Sequence, residues 1–301
     1  MKNKIYKLGF ILFIFACSCK QTEVAKQVHT IVEVQGHRGD RGNFPENTIP
    51  AFISAVKKGA DVVELDVVIS KDNKVVVSHE PFMSSKYVIT PDGFAVTKEQ
   101  EKSFNLHKMV YDSIRKFDTG SNGNKSFPEQ RRIKTYKPLL SEVIDSVETY
   151  ISTHNLKHIR YNIEIKSEKQ EYGISQPMPE KFVKLVMQVI NNKKIAKRVN
   201  IQSFDPDILN VMHFIYPKMK LAYLTDKPGI DRNLNELNFI PNIYSPNYKL
   251  VTTEFIDSLK SKKMKVIPWT VNNAKDIDTM LALKVDGIIT DYPERVIEKL
   301  N

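Results

Sequence analysis

From residue 31 to its end the chain alternates short β-branched runs with amphipathic helical patterns, and few folds accommodate that alternation. Runs at 31–35, 61–69, 160–165, 199–203, 219–224 and 264–270 read as strands, with shorter ones at 242–245 and 286–289. Helical patterns follow Asn47-Thr48-Ile49-Pro50 and recur at 140–151, 180–190, 206–215, 253–259, 275–283 and 293–300. Asp205-Pro206 and Tyr292-Pro293 supply helix starts, because proline is tolerated in the first turn. Repeated strand–helix units with acidic and basic residues at the strand ends predict an α/β chain, a (β/α)8 TIM barrel. A doubly wound open sheet is the competing architecture. The lack of Gly-x-Gly-x-x-Gly after a strand weighs against its nucleotide-binding form.

One further run, 74–79, follows 61–69 after only Lys71-Asp72-Asn73-Lys74. So short a connection cannot join parallel strands, so the two runs form a hairpin. With Asp72-Asn73 as a two-residue loop, residue 66 falls opposite residue 79, and alternation puts 64, 66 and 79 on one face. A one-residue slip would undo that pairing. Residues 81–137, after the hairpin, are irregular and rich in Lys, Ser, Asn, Gly and Pro, with interspersed aromatics. A segment this long within a barrel reads as an insertion or lid that carries function.

The N-terminus is a separate unit. Lys2, Lys4 and Lys7 precede a short apolar run, and the only two cysteines, Cys17 and Cys19, follow it. The run is too short to span a bilayer and reads as a secretory signal. Its end resembles a bacterial lipoprotein signal, in which a small residue precedes the lipidated cysteine. Residues 1–19 are then the signal with its lipidation site at Cys17 or Cys19, 20–30 a polar tether and 31–301 the folded domain. The expected location is the periplasmic or cell-surface side of a bacterial membrane, reached through the lipid anchor. With no other cysteine the domain must rely on its core. The formal charge is +10, with basic residues dispersed in pairs such as Lys57-Lys58 and Lys197-Arg198. No aromatic-interleaved basic motif is present, so a nucleic-acid partner is not expected.

Costly polar residues sit at the strand ends. Glu64 and Asp66 interrupt an apolar run, and Glu164 lies in Ile163-Glu164-Ile165-Lys166. Such carboxylates are expensive to bury unless something pairs with them. Oxygen-only ligation suits one divalent cation, Mg²⁺ or Ca²⁺, rather than zinc. His37 in Gly36-His37-Arg38-Gly39 and His79 at the end of the 74–79 run add acid–base capacity. Gly36 and Gly39 would let the backbone approach a ligand. Arg38 offers a planar fork for phosphate oxygens, and Lys166 a second positive charge on the face of Glu164. Trp269, the only tryptophan, could wall the substrate site, and Gln202 could hydrogen-bond substrate.

These segments resemble the glycerophosphodiester phosphodiesterase family. The resemblance rests on Gly36-His37-Arg38-Gly39, Pro45-Glu46-Asn47-Thr48, Glu64-Leu65-Asp66-Val67, His79, Lys137-Pro138-Leu139-Leu140-Ser141-Glu142, Ile163-Glu164-Ile165-Lys166, Gln202-Ser203-Phe204, Pro268-Trp269-Thr270-Val271-Asn272 and the segment Asp286-Gly287-Ile288-Ile289-Thr290-Asp291-Tyr292-Pro293, in family order. It implies a (β/α)8 barrel that hydrolyses a small-molecule glycerophosphodiester to glycerol 3-phosphate and an alcohol. It makes His37 and His79 the acid–base pair, Glu64, Asp66 and Glu164 the cation ligands, and Arg38 and Lys166 the phosphate binders. We read His37 as base and His79 as acid. The nucleophile is water or the substrate's own glycerol hydroxyl. Two departures stand out: Glu80 replaces the family's aspartate after the second histidine, and the match lapses between His79 and residues 114–120. The rival activities are lysophospholipase D or phospholipase C-like cleavage of an intact lipid, and non-catalytic binding of glycerophosphodiesters at the cell surface.

Overall fold

The computed structural model describes residues 32–301. The signal at 1–19, its cysteines Cys17 and Cys19, and the tether at 20–30 lie outside the described residues. The chain opens with β1 (Glu33–Gly36), α1 (Ile49–Lys58), β2 (Val62–Ile69) and β3 (Val75–Val77). After the irregular segment with its short α2 (Tyr111–Ile114) come α3 (Leu140–Thr153), β4 (Arg160–Ile165), α4 (Pro179–Asn192), β5 (Val199–Ser203) and α5 (Pro206–Ile215). The rest is β6 (Lys220–Thr225), α6 (Ile230–Leu234), β7 (Ile243–Pro246), α7 (Thr253–Ser261), β8 (Lys265–Val266), α8 (Ala274–Ala282), β9 (Gly287–Thr290) and α9 (Pro293–Leu300).

The parallel strands follow the order β8-β7-β6-β5-β4-β2-β1-β9, with β3 hanging antiparallel from β2. Between β8 and β9 no regular ladder forms. Asp286 N–H donates to Val266 O at 2.9 Å and Ile289 N–H to Pro268 O at 3.0 Å, so the seam is nearly closed. The expected strand over 264–270 shrinks to two residues because Pro268 has no N–H and later bonds alternate between neighbours. The short α6 was absent from the sequence pattern, being one turn after Gly229.

Side chains alternate through the barrel wall. Val63, Leu65, Val67, Tyr161, Ile163, Ile165 and Ile201 pack under the helices. Their neighbours face the barrel axis, where Asn162 donates to Gln35 at 2.8 Å and to Gln202 at 3.0 Å. The other half of the interior is apolar, with Ala222, Ile243, Ile267 and Ile289.

The hairpin corrects one expectation. Val67 pairs with Val77 and Ile69 with Val75, and Ser70 N–H bonds Lys74 O at 3.0 Å. The loop therefore has three residues, with Asn73 left-handed at φ 60°. The register is one residue off the expected one, so Ser78, not His79, lies opposite Asp66; Ser78 N–H donates to Asp66 O at 3.0 Å. The segment 81–137 builds a core of its own: Met83, Tyr87, Val88, Leu106, Tyr111, Ile114 and Phe117 pack on Val68 and Val76. Among the described residues no helix is long and apolar enough to cross a membrane.

Candidate active site

Parallel strands deliver their C-terminal ends to one mouth of the barrel, and the predicted carboxylates collect there. Asp66 on β2 is in register with Glu164 on β4, and Glu64 lies two residues earlier on the same face. Ligand oxygens of Glu64, Asp66 and Glu164 all lie within 4.8 Å of one another, and all three residues are buried. Burial, then the neighbouring Asp66 and Glu164 charges, pushes the Glu64 carboxyl well above its ordinary range. Glu164 is raised too, first by burial, although Lys166 opposes the shift. For Asp66 burial acts the same way, but Arg38, His79 and Lys166 overcome it and hold the carboxyl far below the usual range. Its Oδ1 is buried without a hydrogen-bond partner. An orphaned oxygen amid crowded negative charge fits a bound hard cation.

The turn after β1 clamps this cluster. Arg38 adopts a left-handed backbone, φ 51°, which turns its N–H onto Glu64 Oε2 at 2.8 Å. Such strain in a non-glycine residue costs about 1–3 kcal/mol and marks functional sites. Asn47, also left-handed at φ 57°, donates Nδ2 to Asp66 Oδ2 at 2.8 Å and accepts from Asp66 N–H at 3.2 Å. The Arg38 fork turns largely inward: Nη1 donates to Glu46 Oε1 at 2.6 Å, and Nε lies 3.2 Å from Asp66 Oδ2. Nε has no hydrogen-bond partner despite that ion-pair distance, and Nη2 makes no protein hydrogen bond either. Gly36 and Gly39 serve the packing of the turn itself. A Cβ on Gly36 would stand 2.6 Å from Gly39 O, and one on Gly39 2.6 Å from the Ala51 carbonyl carbon, so both allow the turn to press against α1.

His37 follows β1, its N–H donating to Thr290 O at 2.8 Å. Its Nδ1 lies 2.6 Å from Asp291 Oδ1. Asp291 is itself held, since Asn272 donates Nδ2 to its Oδ2 at 2.7 Å and accepts its N–H at 2.9 Å. Against the effect of burial, the His37 ring keeps the Asp291 carboxyl ionised, with a pKa down to about 2. Burial lowers the pKa of His37, with Asp291 pulling the other way. The imidazole is thus neutral near pH 7, with Nδ1–H donating to Asp291 and Nε2 available.

His79 reaches the site through the bend after β3 rather than through ladder pairing. Ser78 is fixed by Lys137 Nζ at 2.8 Å, and Tyr87 OH donates to Glu80 Oε2 at 2.9 Å. Glu80 Oε1 lies 3.3 Å from His79 Nδ1. Despite burial the Glu80 carboxyl is shifted down by His79, Lys137 and Arg38. A cleft of ≈ 670 Å³ opens over His79, Glu164 and Lys166, walled by Phe82, Lys102 and Phe204. Lys166 donates to Glu164 Oε1 at 2.7 Å, and the Glu164 and Asp66 charges outweigh burial to hold its pKa above the usual lysine value.

Two predicted substrate contacts are placed differently. Gln202 is buried and both ends of its amide are used, Nε2 on Glu64 Oε1 at 2.9 Å and Oε1 by Asn162, so it orients a carboxylate instead of facing the cleft. Trp269 packs edge-on against Phe204, centroids 5.3 Å apart, and donates Nε1 to Ser245 O, so it supports the Phe204 wall of the cleft. The sequence pattern alone assigns no role to Asp291 or Asn272. The signal was there: Asp291 is an acidic residue directly after an apolar strand, the feature that singled out Glu64 and Glu164.

The sequence model of the glycerophosphoryl diester phosphodiesterase family matches residues 37–295. A glycerophosphodiester phosphodiesterase of Bacillus altitudinis is 32% identical over 272 residues, covering 89% of this chain and 98% of that protein. Among solved structures, a Silicibacter pomeroyi DSS-3 protein assigned as a glycerophosphoryl diester phosphodiesterase is 26% identical with a TM-score of 0.81, over 89% of this chain and 93% of its own. An Oleispira antarctica phosphodiesterase, solved with its product sn-glycerol-3-phosphate, shares the fold at a TM-score of 0.69 and 19% identity, over 88% of this chain and 95% of its own.

Proposed function

The chain belongs to the glycerophosphoryl diester phosphodiesterase family, and from that premise we propose that it cleaves a glycerophosphodiester to sn-glycerol 3-phosphate and an alcohol by cation-assisted, two-histidine acid–base catalysis. The observation that carries the reading is the buried trio Glu64, Asp66 and Glu164, with one oxygen orphaned and the turn that holds His37 clamped onto it through Arg38 and Asn47. These three carboxylates would hold Mg²⁺ or Ca²⁺, which when bound neutralises phosphate charge.

The chain's own groups do the rest. Lys166 and the free Nη2 of Arg38 face the phosphate oxygens as charge grows on them. His37 Nε2 accepts the proton of the attacking water, or of the substrate's glycerol hydroxyl, and Asp291 holds Nδ1–H so that Nε2 presents its lone pair. His79, oriented by Glu80, delivers a proton to the departing alkoxide as the P–O bond breaks. Attack by the glycerol hydroxyl would give a cyclic phosphate first. The relatives' activity sets aside a role limited to binding. The N-terminal reading, with Cys17 or Cys19 lipidated, puts the enzyme on the outer side of a bacterial membrane.

Chelation is expected to abolish release of glycerol 3-phosphate, and Mg²⁺ or Ca²⁺ to restore it. Binding should also stabilise the fold, by about 2.7 kcal/mol at a hundredfold excess over Kd, read as a rise in Tm. Turnover and Tm both indifferent to chelator would contradict the cation site.

A further inference from the structure

The opposite mouth of the barrel carries a group of cations that this reaction does not use. A cavity of ≈ 260 Å³ opens there among Glu33, Arg160, Lys197, Lys220, Lys263 and Lys265. Arg160, Lys220 and Lys265 are the first residues of β4, β6 and β8. The residues after them, Tyr161, Leu221 and Val266, pack under the helices, so alternation turns the three cations toward the barrel axis. Lys197 and Lys263 stand just ahead of β5 and β8.

The acidic groups of this mouth are already engaged. Glu33 pairs with Arg160 at 2.6 Å and accepts from Gln35, and Arg198 pairs with Glu148 at 2.8 Å. Asp61 accepts Val34 N–H at 3.0 Å, and Asp286 accepts Val266 N–H at 2.9 Å. Lys197, Lys220, Lys263 and Lys265 have no carboxylate within 4.0 Å among the described residues. Four like charges thus line one cavity with no carboxylate in ion-pair contact, an arrangement that gains from an anionic surface.

The chain also enters the barrel here. β1 begins at Glu33, which lines this same cavity, while His37, Glu64, Asp66 and Glu164 lie toward the other mouth. The segment that links β1 to Cys17 or Cys19 therefore joins the barrel at this mouth.

We propose that the basic mouth docks on an anionic lipid surface such as phosphatidylglycerol and that the catalytic mouth faces away from it. The docking rests on charge and connectivity. The orientation rests in addition on the lipid-anchor reading. The substrate then arrives from the water side as a soluble, deacylated diester, which disfavours an intact lipid of the same bilayer.

The test compares the full chain with its Lys220→Gln, Lys263→Gln, Lys265→Gln variant by co-sedimentation with vesicles. One set contains equal parts phosphatidylglycerol and phosphatidylcholine, the other phosphatidylcholine alone. Both proteins carry the same N-terminal segment, so their difference reads the basic mouth. Losing three lysines should weaken partition onto the anionic vesicles on the order of a hundredfold. The difference should close at high salt, and turnover of a soluble diester should not change. Equal partition of the two proteins overturns the proposal. So does release of the unsubstituted chain by inorganic phosphate at fixed ionic strength, because the mouth would then hold a small anion. Cys17→Ser with Cys19→Ser, placed in both backgrounds, separates the two readings. Survival of the lysine-dependent difference supports docking. If membrane attachment in the producing cell is the same without both cysteines, the anchor reading fails while the docking result stands.

Discussion

At the scale of residues, the two histidines are held unequally. His37 is the less exposed of the two and sits 2.6 Å from a carboxylate that Asn272 grips on its far side; His79 is more open, and its Glu80 contact is 3.3 Å. The tighter, buried ring suits the base, whose lone pair must be aimed, and the looser one suits the acid. Asp291→Asn should therefore leave the fold intact and lower kcat by about 10²–10⁴-fold, through loss of the productive tautomer. Because His37 titrates below the ordinary 6.5, the acid limb of kcat/KM should lie below that pH. Asp291 raises that pKa, so the residual activity of the variant should show its acid limb at still lower pH. A pH–rate profile for both proteins checks magnitude and direction together. An acid limb that moved to higher pH would contradict the pairing. The carboxylates and histidines were legible in sequence because charge inside an apolar run is conspicuous. The segment of Glu46 and Asn47 carries part of the family resemblance, but their roles as clamps on Arg38 and Asp66 were not legible: they lie in a turn with no periodicity, and only the left-handed backbone of Arg38 and Asn47 brings them onto the site.

At the scale of elements, the β1–α1 turn carries the greatest constraint. Gly36 has no room for a methyl group, with Gly39 O 2.6 Å and Ala55 Cβ 3.0 Å from its place. Gly36→Ala should cost about 1–3 kcal/mol by overpacking and displace the adjacent His37. Urea unfolding should show the lower midpoint, and turnover per folded molecule should fall as well; a stability loss with unchanged turnover would mean that the turn does not position the histidine. The hairpin shows the limit of reading elements from sequence. Its existence followed from a connection too short for parallel strands, but its register depended on whether the loop had two residues or three. Asn73, which tolerates the left-handed region, selected three. His79 still reaches the Asp66 and Glu164 charges because the backbone bends out of β3 after Ser78, a bend held by Lys137 and Glu80, which no periodicity announces.

At the scale of the whole molecule, strand direction sorts the chemistry into two mouths. Among the described residues every strand but β8 ends within two residues of where its β-branched run ends, which is why the barrel could be read early. The basic mouth could not, because Lys197, Lys220, Lys263 and Lys265 are spread along the sequence and meet only when the barrel closes. The catalytic mouth joins β1, β2, β4 and β9 with the segment after β3, so its groups act as one unit. Release of sn-glycerol 3-phosphate from a panel of glycerophosphodiesters, by the intact chain and by His37→Ala and His79→Ala with Mg²⁺ or Ca²⁺ present, tests this most directly. Turnover by the intact chain and a loss of about 10²–10⁴-fold in each variant, at unchanged thermal unfolding, are expected. Turnover at the intact rate in either variant would contradict two-histidine catalysis.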